Sequence, residues 1–162
     1  MKIKLLKSLQ VIAASLLILS VTACESEDTD SLTEDAIFPQ GRKGPAELFT
    51  GTAWNYGLVP MDSTFTTLVG NVYFEPGARS NWHLHPAGQI LIITAGVGYH
   101  QIEDQPIEVI KKGDVVKCPP NKNHWHGASP DVGMQQLYII PNTEKGIVEW
   151  FGPVTDEEYS NL

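Results

Sequence analysis

Between Phe49 and Phe151 the chain is a succession of short runs rich in Val, Ile, Thr and aromatic residues, each closed by Gly, Pro, Asn or Asp. The runs FTGTAWNYGL, TTLVGNVYFE, ARSNWHLH, QILIITA, GYHQIE, IEVIK, DVVKC, HWHGAS, GMQQLYII and IVEWF are separated by EPG, HPAG, AGVG, EDQP, KKGD, PPNKN and SPDVG. Strands recurring about every eight to twelve residues with turns between them predict an all-β chain, an antiparallel sandwich or barrel. QILIITA is continuous rather than alternating, so it is expected to be central and covered on both faces. No segment has helical periodicity of any length. Only the tail VTDEEYSNL suggests a helical turn, because Thr155 and Glu158 have the spacing of a capping box.

The N-terminus lies outside this pattern. MKIKLLK and the apolar run LQVIAASLLILSV have the basic and apolar regions of a secretory signal, and the run is too short for a comfortable membrane span. It ends in VTAC, which resembles a bacterial lipobox. Residues 1–23 are therefore expected to be a lipoprotein signal, with Cys24 lipidated. Losing them removes three lysines and no acidic residue, taking the net charge from -8 to -11. ESEDTDSLTEDA then has almost nothing to bury, so residues 24–36 are expected to be an acidic disordered tether. The folded domain is 37–162. The expected location is the cell envelope, periplasmic or surface-exposed, with the membrane engaged through the N-terminal lipid. A net negative chain without a basic patch does not suit nucleic acid. Cys118, alone in the folded part, is expected to be a small buried hydrophobe.

Only five histidines occur, and four form two His-x-His pairs, NWHLH and NHWHG. On a strand, positions i and i+2 share a face. His83 and His85 should point one way, and His124 and His126 likewise, leaving Trp82, Leu84 and Trp125 to pack on the other side. Imidazoles converging in a barrel interior are costly unless partnered. A divalent transition metal removes that cost. Gln89, beyond the PAG turn, opens the next strand and can face the same cavity, although spacing alone fits a solvent-facing residue equally well.

These residues carry a family resemblance. GARSNWHLHPAGQILIITAG resembles the first motif of the cupin superfamily, with Gly77, His83, His85, Gln89 and Gly96 in its places. GDVVKCPPNKNHWHGA resembles the second, through Gly113, Pro119 and His124. Asn121 replaces the usual Gly and Ala128 the usual Asn; Asn tolerates positive φ, so the turn should survive. The resemblance implies a cupin-type jelly-roll barrel of antiparallel strands, often dimeric, with one divalent metal held by His83, His85, Gln89 and His124. Gln89 stands where most cupins have Glu. The amide adds no charge, which favours Lewis-acid behaviour and should weaken metal affinity. Over most of residues 44–159 the chain is similar to small bacterial cupins related to manganese-dependent hydroxynitrile lyases. That likeness puts manganese first, although iron, nickel, cobalt and zinc accept the same ligands.

Further residues follow from parity and from the resemblance. His126 is expected to be a fifth neighbour of the metal or a free imidazole beside it, serving as a general base or as an orienting neighbour. Gln136 aligns where the lyase-like cupins tend to carry another pocket histidine, and can orient substrate but not take a proton. Arg79 shares the parity of His83, so it could face the barrel mouth and attract an anionic substrate; a solvated loop position is the alternative. His100 reads as a surface strand residue. Trp54, Trp82, Trp125 and Trp150 read as core or dimer packing. The functional expectation is a Lewis-acid enzyme acting on a small carbonyl or hydroxyl substrate, by carbon–carbon lyase, decarboxylase or isomerase chemistry. An iron-dependent dioxygenase and a non-catalytic small-molecule-binding protein are the alternatives.

Overall fold

A computed structural model describes residues 37–162; the expected signal, Cys24 and acidic tether lie outside the described residues. The described residues contain twelve strands: β1 (Arg42–Lys43), β2 (Phe49–Thr50), β3 (Ala53–Val59), β4 (Leu68–Phe74), β5 (Arg79–Ser80), β6 (His83–Leu84), β7 (Gln89–Ile102), β8 (Glu108–Lys111), β9 (Val115–Cys118), β10 (His124–Ala128), β11 (Met134–Ile140) and β12 (Glu149–Trp150). Every pairing is antiparallel, in the order β1-β3-β4-β11-β7-β10-β5-β2. β8 and β9 also pair with β7, and β6 joins β10 to β12. The strands curl into a jelly-roll barrel, the fold that the cupin resemblance implies and one of the two antiparallel architectures that the turn pattern allows.

The organising element is β7. Its first half pairs with β9 and β11, its second with β8 and β10. The sequence AGVG reads as a turn, but the strand runs through it and passes from one sheet to the other. Gln136 pairs with Ile93 and Gln135 with Ala95, leaving Thr94 as an extra residue, a β-bulge. Gly96 at this corner has φ 74°, and a Cβ there would lie 1.8 Å from the Gly133 carbonyl oxygen, so only glycine fits. QILIITA is central, as expected, but its faces differ: Leu91 and Ile93 are buried, whereas Ile90 and Ile92 are half-buried.

Two apolar clusters hold the barrel. The larger fills the interior and includes Val72, Phe74, Leu91, Ile93, Val116 and Met134. The smaller lies outside, where Trp125 and Tyr99 pack under Val154 and Tyr159 of the C-terminal segment, with Trp82 against them. Trp82 and Trp125 thus face away from the histidines, as strand parity requires. The tail forms one helical turn, α1 (Asp156–Tyr159), closed by the predicted Thr155–Glu158 capping box.

Arg79 belongs to this C-terminal clamp, contrary to both readings of it. It is buried, its guanidinium donates to the Val154 carbonyl (3.0–3.1 Å) and to Asp156 (2.6 Å), and it stacks 4.5 Å from the Tyr159 ring centre. β5 ends at Ser80 and β6 begins only at His83, so the break cancels the parity that placed Arg79 with the histidines. Tyr159 completes the clamp by donating to the Ala128 carbonyl at 2.7 Å. Arg79→Ala is expected to lower unfolding stability by about 2–3 kcal/mol in a denaturant titration, because the buried Val154 carbonyl loses a charged donor. The cavity and its histidines should keep their geometry.

Candidate metal centre

The histidines converge because three strand pairings bring them together. β10 lies beside β6, placing His124 opposite His83, and β12 places Trp150 opposite His83 from the other edge. His85 follows β6 in the turn to β7, whose first residue is Gln89. All four ligand candidates are buried. One ring nitrogen each of His83, His85 and His124 lie within 4.8 Å of one another.

Hydrogen bonding at the far side of each ring fixes what it presents. His83 Nδ1 lies 2.9 Å from the Asn81 carbonyl, His85 Nδ1 2.5 Å from that of Ile147, and His124 Nδ1 3.0 Å from that of Lys122. A carbonyl only accepts, so each Nδ1 carries the hydrogen and each Nε2 keeps its lone pair. His85 Nε2 is buried without a hydrogen-bond partner. Gln89 Oε1 sits 3.2 Å from His124 Nε2, so two acceptors face each other with no hydrogen to share. Convergent lone pairs with no donor among them fit a divalent cation, and outer carbonyls that orient ligating imidazoles are the usual support of such a site. The site residues inferred from sequence are thus brought together, Gln89 among them.

The rings are held neutral. Burial pushes the His83 imidazole well below its ordinary pKa, with His124 adding to the effect. Burial lowers His85 as well, partly offset by the Ile147 carbonyl. Burial takes His124 down to about 3. Neutral rings are ready to ligate. In the unfolded chain the same ring titrates near 6.5, so the unfolded state binds more protons below that pH. The metal-free protein should therefore be fully stable above pH 6.5 and lose stability as the pH falls toward His124's folded value. His124 alone contributes about 2 kcal/mol between pH 7 and pH 5. Thermal melts of the metal-stripped protein should show a fall in Tm of roughly 5–10 °C over that interval.

Next to these ligands lies a cavity of about 180 Å³. Its wall is mostly apolar and aromatic, with Phe49, Val72, Phe74, Tyr138 and Trp150 around the polar atoms of His83, His85, Gln89 and His126. Trp150 is not general packing: its ring lies 4.7 Å from that of His83 and forms part of the cavity wall. Nothing in the sequence around VEWF signals this, because β12 reaches the site only by pairing with β6. Arg79 is not among the cavity-lining residues.

His126 shares the cavity, and its ring stands edge-on to Phe74 at 5.6 Å and 5.2 Å from His83. Burial, and then its histidine neighbours, depress its pKa strongly. Gln136, fully buried, lies behind it with Nε2 2.9 Å from His126 Nδ1. Gln136 Oε1 is buried without a partner. As placed, the amide donates to His126 Nδ1 and the ring hydrogen sits on His126 Nε2; with the amide turned over, its oxygen accepts the Nδ1 hydrogen and His126 Nε2 keeps its lone pair. Gln136 therefore governs where His126 carries its proton, and it touches the ring rather than the cavity.

His100 differs most from its sequence reading. It is 1% exposed, with Nδ1 3.3 Å from Glu108 and Nε2 3.4 Å from the Cys118 sulfur. The bulge at Thr94 shifts the strand's alternation, so inward positions are Gln89, Leu91 and Ile93 before it and His100 after it. Burial lowers the pKa of His100, partly offset by Glu108. Cys118 is buried, as expected, and burial raises its thiol to about 12. Asn121 has φ 60°, as expected at a position usually filled by glycine.

The described residues form a small jelly-roll barrel in which three imidazoles and an amide carbonyl converge beside an apolar cavity, a candidate divalent-metal centre. Residues 70–139 match the Cupin domain family. The chain is 45% identical over 117 residues to the (R)-mandelonitrile lyase of Granulicella tundricola, covering 72% of this chain and 89% of that one. The crystal structure of a cupin-like protein from Thermotoga maritima is 50% identical, with a TM-score of 0.74, over 77% of this chain and 95% of that one. A DMSP lyase from Ruegeria pomeroyi shares the fold alone, at 22% identity and a TM-score of 0.56 over 68% of this chain and 55% of that one. This chain belongs to the cupin superfamily.

Proposed function

We propose that the protein is a metal-dependent lyase that cleaves and forms cyanohydrins of small, mainly apolar aldehydes. The observation that carries this reading is the pairing of one donor-free ligand cluster with one free imidazole, His126, across a single apolar cavity. The 45% identical mandelonitrile lyase supports the reaction class. His83, His85, His124 and Gln89 would hold a divalent ion, with manganese first, and bound there it would supply Lewis acidity toward a substrate oxygen. The aromatic wall of Phe49, Phe74 and Trp150 would take the apolar part of the substrate and exclude water. His126, with Gln136 turned to accept its Nδ1 hydrogen, would take the hydroxyl proton at Nε2. The carbon–carbon bond then breaks, its electron pair leaves with cyanide, and His126 returns the proton to cyanide. Addition runs the same steps backwards.

The test is aldehyde release from mandelonitrile by the purified protein loaded with Mn²⁺. The expected result is turnover that disappears on chelation and is absent from a His83→Ala, His124→Ala double variant. Absence of cleavage by the loaded wild type overturns the reading. Oxygen consumption by iron-loaded protein would instead support a dioxygenase, and ligand binding without turnover a binding protein.

The proposed place of action is the cell envelope, supported by VTAC and the acidic segment that follows it. Cys24→Ser should move the protein from the membrane fraction to the soluble envelope fraction or leave its signal uncleaved. A wild-type protein found wholly soluble would exclude the lipid anchor.

A further inference from the structure

Behind Gln89, on the side away from the substrate cavity, lies a chain of polar contacts that the proposed reaction does not use. Cys118 closes β9 beside Gln89, and its sulfur lies 3.9 Å from Gln89 Oε1 and 3.4 Å from His100 Nε2. A thiol has one hydrogen and here two acceptors within reach. If it goes to Gln89, it occupies a lone pair of the oxygen that would ligate the cation.

The partner of His100 decides between them. Glu108, directly opposite on β8, has its carboxylate 3.3 Å from His100 Nδ1. A carboxylate accepts, so the neutral ring holds its hydrogen on Nδ1 and presents a lone pair from Nε2 to Cys118. The thiol hydrogen then goes to the nearer acceptor, His100, and the sulfur turns only lone pairs toward Gln89. Cys118 stays a thiol because burial opposes its ionisation. Glu108 is exposed, so the chain runs from solvent to the centre's back wall.

We propose that His100, oriented by Glu108, is a positioning residue of the metal centre: by taking the Cys118 hydrogen it leaves the Gln89 carbonyl oxygen free to ligate. This rests on the reading of Gln89 as a ligand. It also accounts for a buried histidine that touches neither the cavity nor the ligand cluster's open side. Removing His100 should turn the thiol hydrogen onto Gln89 Oε1, where it takes one of the oxygen's two lone pairs and makes it a weaker ligand. Removing the thiol as well should restore the ligand.

The experiment is calorimetric titration of Mn²⁺ into the metal-stripped full domain, with folding of each variant checked by circular dichroism. Wild type should bind one ion per chain. His100→Leu should weaken binding by about tenfold, the lower end of what loss of an outer partner costs a metal site. Cys118→Ala alone should bind like wild type, and His100→Leu with Cys118→Ala should return to wild-type affinity. Glu108→Ala, an exposed substitution that does not threaten folding, should weaken binding in the same direction, and adding Cys118→Ala should again restore it. Unchanged affinity in His100→Leu and Glu108→Ala overturns the proposal, and so does a loss that Cys118→Ala does not reverse. A Gln89→Leu variant separates the two levels: if it binds Mn²⁺ like wild type, the ligand assignment of Gln89 has failed, whatever the His100 variants do.

Discussion

His85→Ala is expected to abolish stoichiometric metal binding while leaving the metal-free barrel at least as stable as wild type. His85 lies outside the strands, in the turn between β6 and β7, and the one hydrogen bond of its ring is Nδ1 to the Ile147 carbonyl; the bonds that Gly88 and Asn121 donate to its main-chain carbonyl do not depend on the side chain. Its Nε2 is buried without a partner, so in the metal-free protein the ring contributes an unsatisfied polar atom. Deleting it should therefore not cost the fold its core. The loss of affinity should exceed the roughly 10–100-fold typical of an outer partner, because a ligand itself is removed. Thermal melts read both effects together. Excess ion at about 100 times its Kd stabilises wild type by about 2.7 kcal/mol, and that increment should vanish in the variant. An undiminished metal-induced rise in Tm would show that His85 is not a ligand.

His126→Ala is expected to do the opposite, keeping the ion and losing the rate. The ring makes one hydrogen bond, to Gln136, besides its edge contact with Phe74. A positioned acid or base is typically worth about 10²–10⁴-fold, so kcat on mandelonitrile should fall by that factor with metal content unchanged. The substitution also leaves the buried Gln136 amide without its partner, which should lower stability by about 1–3 kcal/mol. Gln136→Leu tests the same idea from behind. It preserves His126 but removes the amide that holds its proton, and should reduce kcat more than KM. A His126→Ala enzyme as fast as wild type would exclude the imidazole as the proton acceptor.

The three-histidine cluster is legible in the sequence because its spacing records geometry directly, whereas Gln89 joins it only through the family resemblance. His-x-His means a shared face wherever the backbone is extended, and β10 keeps His124 and His126 on one side throughout. The all-β class is legible because turn residues separate most strands, AGVG inside β7 being the exception; the jelly-roll barrel itself comes with the family resemblance. What escapes is whatever depends on a break or a bulge. The gap between Ser80 and His83 sends Arg79 to the C-terminal clamp, and the extra Thr94 turns His100 inward. Neither leaves a mark in residue type. Trp150 escapes for another reason: its place beside His83 comes from pairing across some 65 residues of chain, which local pattern does not encode.

The cavity draws its two halves from different parts of the chain, and this has a bearing on how such a protein can change. The histidines and Gln89 sit on β6, β7, β10 and the turn after β6, whereas Phe49, Val72, Tyr138 and Trp150 come from β2, β4, β11 and β12. Wall residues can thus be exchanged one at a time, reshaping the space for substrate while the inward face of the ligands stays as it is. The exception is residue 147, which lines the cavity and also holds His85. It does the second through its main-chain carbonyl, which any amino acid supplies. Substitution of the Ile147 side chain can therefore reshape the cavity at a position whose backbone still orients the His85 ring.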